Sequence, residues 1–135
     1  MDNWYYSDKV KAHFLKPKNF LEKEPKKGEF DAMGEAGSVV CGDIMKVWIK
    51  IEKKSEKIKK FKWQTWGCAS AIAATSMFSV MVTEKGGMKI KDALKITPKD
   101  IITRLHGLPP QKIHCSVLAD QAFKKAIDNY YGSRV

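Results

Sequence analysis

Three cysteines, Cys41, Cys68 and Cys115, are the residues of this chain best suited to chemistry. Cys41 is followed by Gly42, which lets the backbone turn tightly, and by Asp43, a carboxylate two residues on. Cys68 follows Gly67 at a predicted strand-to-helix junction, and Cys115 follows His114 at the predicted start of the last helix. Unpaired amides and the helix dipole at a helix start favour a thiolate, the form that binds metal and attacks sulfur. Taken singly, a cysteine at such a junction is usually a packed, inert thiol, Asp43 a turn cap and His114 a surface residue. Three cysteines at element boundaries, two of them with an adjacent ligand, point together to metal binding or sulfur chemistry. The residues alone leave inert, reactive and metal-ligating thiols open. There is no Cys-x-x-Cys pair, so the chain does not match a zinc ribbon or finger. The odd count and wide spacing argue against a disulfide framework. A catalytic Cys–His dyad is poorly supported, because His114 and Cys115 are chain neighbours whose side chains diverge. His13 and His106 read as surface residues.

The elements that must position these residues follow from the hydrophobic pattern. Ser7 can cap a first helix, with Val10, Phe14 and Leu15 on its apolar side and Pro17 as its stop. Residues 17–30, with Pro17, Pro25, Gly28 and many charges, read as a linker crossing the surface. From Asp43 the period is two: Met45, Val47, Ile49 and Ile51 share one face, and Lys46, Trp48, Lys50 and Glu52 the other. After a polar turn at Lys53–Lys57, Phe61 and Trp63 oppose Lys60, Lys62 and Gln64, which makes a hairpin. A shorter strand near Ala32–Val39 completes a three-stranded antiparallel sheet. Ala69–Val82 carries no charge and reads as a buried helix closed by Gly86 and Gly87. Ile90–Leu94 predicts a short helical turn. Thr97, Pro98 and Asp100 predict a helix start, with the end near Gly107. Leu108-Pro-Pro-Gln-Lys112 predicts an extended connector. A last helix is predicted over Ser116–Tyr131, with Leu118, Ala122, Ala126 and Tyr130 on one side and Gly132 after its end. The expected fold class is α+β, helices packed on one face of a small sheet, in a single domain over residues 1–135.

With 25 Lys and Arg against 15 Asp and Glu, the chain of 135 residues carries a formal charge of +10. A hydrophobic fraction of 44% supports a real core. No apolar run approaches the roughly 18 residues of a membrane span. The opening Met1-Asp-Asn-Trp-Tyr-Tyr-Ser-Asp8 lacks the basic and apolar stretches of a secretory signal, so a soluble cytoplasmic domain is expected. The charge first suggests nucleic acid. The lysines cluster at 23–27 and 53–62, however, and the second cluster alternates with apolar residues along a strand. That pattern fits a solvated face, or one that steers an acidic protein partner.

Three segments closely resemble IscU/NifU-type iron–sulfur cluster assembly scaffolds, in their order and over nearly the whole chain. They are Cys41-Gly-Asp-Ile-Met-Lys46, Trp66-Gly-Cys-Ala-Ser-Ala-Ile-Ala73 and Leu108-Pro-Pro-Gln-Lys-Ile-His-Cys-Ser-Val-Leu-Ala119. Tyr6-Ser-Asp-Lys-Val10 and the Asn19-Phe20 region are similar too. The modest spacing from Cys68 to Cys115 looks like the IscU branch. The resemblance implies a [2Fe–2S] cluster built on Cys41, Cys68 and Cys115, with Asp43 and His114 at auxiliary ligand positions. It implies sulfur from a cysteine desulfurase, delivery to apo iron–sulfur proteins and no turnover chemistry of its own. An iron donor and a homodimer fall within the same implied set of partners, and a membrane or a specific nucleic acid does not. Leu108, Pro109, Pro110, Gln111 and Lys112 match a motif that docks a specialised chaperone in bacterial members, with Gln111 where those have Val. Three thiolates leave one iron site to a harder donor, which binds less firmly than a fourth thiolate and suits a cluster that must be released. Without iron the same ligands make a tetrahedral zinc site. Two alternatives belong to other classes. A zinc-stabilised nucleic-acid-binding module would place basic and aromatic residues on one exposed face. A cysteine-based sulfurtransferase would turn over a small thiol donor without a desulfurase.

Overall fold

The computed structural model describes residues 7–26, 28–38, 43–66, 69–107 and 115–132, with backbone alone at Ser38, Asp43, Ala69, Ser70, Cys115 and Ser116. Its elements are α1 (Asp8–Leu15), β1 (Ala32–Ser38), β2 (Asp43–Glu52), β3 (Lys57–Thr65), α2 (Ala69–Thr83), α3 (Ile90–Ala93), α4 (Pro98–Arg104) and α5 (Cys115–Gly132). The sheet is antiparallel in the order β1-β2-β3. The fold class is the expected α+β, with α2 and α5 on one face of the sheet.

The alternation holds on the core side. Met45, Val47, Ile49, Phe61 and Trp63 are fully buried. Ala36 pairs with Met45 and Gly34 with Val47, so the even positions of β1 face inward too. Phe61, Phe78 and Phe123 join the sheet to α2 and α5, with ring centroids 5.3 to 6.0 Å apart in edge or tilted contacts. Gly34 lets α5 lie directly on β1: a β-carbon there would stand 2.1 Å from the Ala122 carbonyl oxygen.

Helix α2 is apolar all round because it is surrounded by α1, α4, α5 and β3. Two of its buried hydroxyls are satisfied within the helix: Thr75 donates to the Ala71 carbonyl at 2.8 Å and Ser79 to the Ser76 carbonyl at 2.6 Å. A 3₁₀ turn at Glu84–Gly86 closes it. Helix α4 starts on the expected residues. The Thr97 hydroxyl accepts from the Asp100 amide at 3.2 Å, and the Asp100 carboxylate accepts from the Thr97 amide at 2.9 Å. Helix α5 begins one residue earlier than expected and takes in Gly132 as its last residue.

Several expectations are corrected. Ser7 caps α1, accepting from the Val10 amide at 3.1 Å, but Phe14 and Leu15 are 42% and 73% exposed. The short helix meets α2 along the Val10–His13 line, which leaves those two on the outside. His13 is half-buried rather than free at the surface: its Nδ1 lies 2.6 Å from the Ser76 hydroxyl of α2. His106 is exposed, as expected. The linker does more than cross the surface. Trp63 donates its amide to the Asn19 carbonyl and accepts at its carbonyl from the Leu21 amide, and its indole donates to the Lys18 carbonyl at 2.8 Å. Farther along β3, the Ile58 amide donates to the Met88 carbonyl at 2.9 Å. Trp48 and Gln64 are buried although alternation points them outward; Trp48 is covered where the linker returns over the sheet beside Pro25, Phe30 and Met33. The connector expected at 108–112 and the end of the first strand at Val39 lie outside the described residues. No helix among the described residues is long and apolar enough to cross a membrane.

Candidate metal centre

Cys41, Cys68 and His114 lie outside the described residues, and Asp43 and Cys115 are described by their backbone alone. What can be built is the frame that carries them. Ser38, the last residue of β1, pairs with Asp43, the first of β2, three and two residues from Cys41 in the chain. Thr65 at the end of β3 pairs with Met45, and the Trp66 amide donates to the Ile44 carbonyl at 3.2 Å. Trp66 and Ala69, the first residue of α2, flank Cys68 in sequence. These ends therefore stand at one end of the sheet.

Helix α5 brings its own start toward the same end. The Tyr131 hydroxyl donates to Glu56 at 3.3 Å, in the turn between β2 and β3, and the Asn129 amide donates to the Met33 carbonyl at 2.6 Å. Ala122 and Ala126 lie against Gly34. Helix α5 thus runs antiparallel to β1. From Asn129 back to Cys115 is about 21 Å of helix, and from Met33 to Ser38 about 17 Å of strand, so Cys115 comes level with the Ser38–Asp43 pair. Two helix starts, those of α2 and α5, with their free amides and positive dipole ends, close on that end of the sheet. Lys46 adds a cation beside it, held by Glu24 at 2.8 Å and 5.6 Å from the Trp66 ring centroid.

Among the described side chains no three His, Cys, Asp or Glu groups are placed to hold a metal. His13 is fixed elsewhere. Burial, followed by the positive charges of Lys18, Lys9 and Arg104, holds its imidazole below the ordinary value, so the neutral ring is favoured. One buried acid was missed by sequence reasoning. Asp120, in the second turn of α5, is 8% exposed; one carboxylate oxygen meets Lys124 at 3.1 Å and the other has no partner. The signal for it was an acid between Ala119 and Ala122 on the buried stripe. Of the tryptophans, Trp48 and Trp63 are buried and Trp66 is 61% exposed. Trp48 and Trp63 therefore offer no open ring face for base stacking.

A three-stranded antiparallel sheet backed by helices, with the facing ends of β1 and β2, the end of β3 and the start of α5 gathered toward one end, is the class of domain in hand. Residues 5–135 match the family described as NifU-like N terminal domain, and the chain belongs to that family. It is 44% identical over 131 residues to the nitrogen fixation protein NifU of Nostoc sp., covering 96% of this chain and 43% of that relative's length. It is 42% identical over 125 residues to the iron-sulfur cluster assembly scaffold protein IscU of Aquifex aeolicus, covering 93% of this chain and 75% of the relative. Its fold is similar to that of the NifU-like protein (N-terminal) from Brucella abortus, with a TM-score of 0.64 at 14% identity over 96% of each chain.

Proposed function

We propose that this chain is a scaffold on which a [2Fe–2S] cluster is assembled and from which it passes to apo-proteins. The observation that carries the reading is the family membership, joined to the frame that directs the junctions bearing Cys41, Cys68 and Cys115 to one end of the sheet. The cluster is cargo. The three thiolates would hold it, with Asp43 or His114 as the fourth, weaker donor. A cysteine desulfurase would supply sulfur as a persulfide, and its conversion to sulfide takes two electrons per atom, of which two ferrous irons going to ferric would supply half and an external reductant the rest. Leu108–Lys112, with Gln111 in the fourth place, would be the chaperone segment. Zinc would occupy the same donors when iron is absent. The burial of Trp48 and Trp63 counts against a nucleic-acid module. A sulfurtransferase would be revealed by turnover of a small thiol donor alone.

The test is anaerobic reconstitution with ferric iron and sulfide, whose oxidation levels already match a diferric [2Fe–2S] cluster, read by absorption and Mössbauer spectra. The parent should form a [2Fe–2S] cluster and hand it to an apo-ferredoxin. Cys41→Ser, Cys68→Ser and Cys115→Ser should each fail to hold it while keeping the fold. A normal cluster in Cys115→Ser would remove that residue from the ligand set. Failure of the parent to assemble any cluster would overturn the reading.

A further inference from the structure

The outer face of the sheet carries a feature that cluster chemistry does not use. Lys46, Trp48 and Lys50 point away from the helices there, with Lys62 directly opposite Trp48 and Lys60 directly opposite Lys50. Like charges in directly opposed positions destabilise a sheet. Neither Lys50 nor Lys60 has an acidic partner among the described residues, whose ion pairs are Lys46–Glu24, Lys59–Glu52, Arg104–Glu84 and Lys124–Asp120. Trp48 itself is only 7% exposed. It lines a cleft of about 220 Å³ together with Pro25, Lys26, Phe30 and Met33, formed where the linker returns over the sheet. Trp48 lies five residues along β2 from Asp43, roughly 16 Å from the candidate metal centre.

A small cleft lined by an indole, a phenyl ring and a thioether has room for one apolar side chain. Lys26 lines it, and Lys50, two residues from Trp48 on the same face of β2, stands next to it with Lys60 opposite, while Lys62 is turned to the Asn19 side-chain oxygen at 3.4 Å. An apolar centre within a charged rim is the anatomy of a protein-docking hot spot. Nucleic acid fits less well: stacking needs an open aromatic face, and the indole of Trp48 is covered. Free phosphate would leave the cleft unexplained. We propose that this cleft docks an acidic segment of a partner protein, one apolar side chain seated against Trp48 and Phe30 and its flanking carboxylates on Lys26, Lys50 and Lys60.

The test starts from a displayed library of short random peptides selected on the full chain. A selected peptide is then titrated at low and at physiological salt while the Trp48 indole N–H resonance is followed. Enrichment of acidic peptides with one aromatic or branched aliphatic residue is expected. Binding should shift the Trp48 resonance and weaken as salt rises. The double variant Lys50→Gln/Lys60→Gln should weaken binding about tenfold, with Trp48→Phe retaining part of it. That double variant relieves the cross-strand repulsion, so its melting temperature should hold or rise, and loss of binding cannot be loss of fold. Selection of peptides without acidic bias would overturn the proposal, as would affinity unchanged within a factor of about two in the double variant. An oligothymidylate that shifts the Trp48 resonance as tightly as the best peptide would overturn it in favour of a nucleic-acid face.

Discussion

Gly34 and Ala122 meet backbone to backbone: a β-carbon on Gly34 would stand 2.1 Å from the Ala122 carbonyl oxygen and 2.3 Å from the Ala126 amide nitrogen. Neither contact is with the end of a flexible side chain, so neither can be relieved by a rotamer change. Gly34→Ala should destabilise the fold by about 3 kcal/mol or more, at the upper end of overpacking costs. The shift in the urea midpoint measures it. A loss smaller than about 1 kcal/mol would mean that α5 can move off β1 cheaply. Because α5 begins at Cys115, the same variant should hold a cluster less well even where it remains folded.

Acid should weaken the α1–α2 contact through His13. The folded state lowers the pKa of His13 from its ordinary 6.5. Between the lowered value and 6.5 the unfolded chain therefore binds more protons than the folded one, and stability rises with pH across that window. The contribution is complete above 6.5 and lost as the pH falls toward the folded value. A series of urea midpoints between mildly acidic and neutral pH should show this slope. In His13→Asn, which can still pair with the Ser76 hydroxyl, the slope should flatten. An unchanged slope would assign the acid sensitivity to other groups.

The capping box of α4 offers a stability change away from the metal centre. Thr97→Ala removes the acceptor for the Asp100 amide and should cost about 1 kcal/mol. Thermal melting reads it, and cluster assembly should be untouched. A loss of assembly matching a Cys→Ser variant would show that α4 communicates with the metal centre.

Asp43 tests mechanism. Its backbone opens β2 opposite Ser38, and it follows Cys41 by two residues, a spacing that in extended chain puts both side chains on one face. If its carboxylate is the weak donor, Asp43→Cys should give an all-thiolate cluster that resists chelators. Transfer to an apo-ferredoxin should slow by about tenfold, or about 1.4 kcal/mol of barrier. Equal transfer rates with unchanged spectra would take Asp43 off the ligand list and leave His114.

The sheet and its inward face were legible because alternation at Met45, Val47, Ile49, Phe61 and Trp63 has a single physical solution, one face buried. The start of α4 was legible because Thr97, Pro98 and Asp100 act within four consecutive residues. What escaped was non-local. Periodicity says which side of β2 meets the helices, but not that Pro25, Lys26 and Phe30 return to cover Trp48 on the other. Nor does it say that Asn19 and Leu21, in a segment read as linker, would pair with Trp63. His13 looked like a surface group because its partner, Ser76, lies 63 residues away. For the metal centre, the chemistry of the five candidates was readable from residue type. That α5 starts level with the Ser38–Asp43 pair depends on its running antiparallel to β1, a property of the packed chain that no local pattern contains.

The contacts of Asn19 and Leu21 with Trp63, and of Met88 with Ile58, occupy the flank of β3 that would otherwise accept another strand. Among the described residues β1 keeps such a flank, closed only at the Met33 carbonyl by the Asn129 side chain. Fibre growth needs a molecule that can be extended on both sides, and this sheet can be extended on one. Strand addition between copies would join β1 to β1 across a two-fold axis and stop at two. This basic chain thus carries a chain terminator against polymerisation through its sheet, made from a stretch of sequence that reads as mere linker.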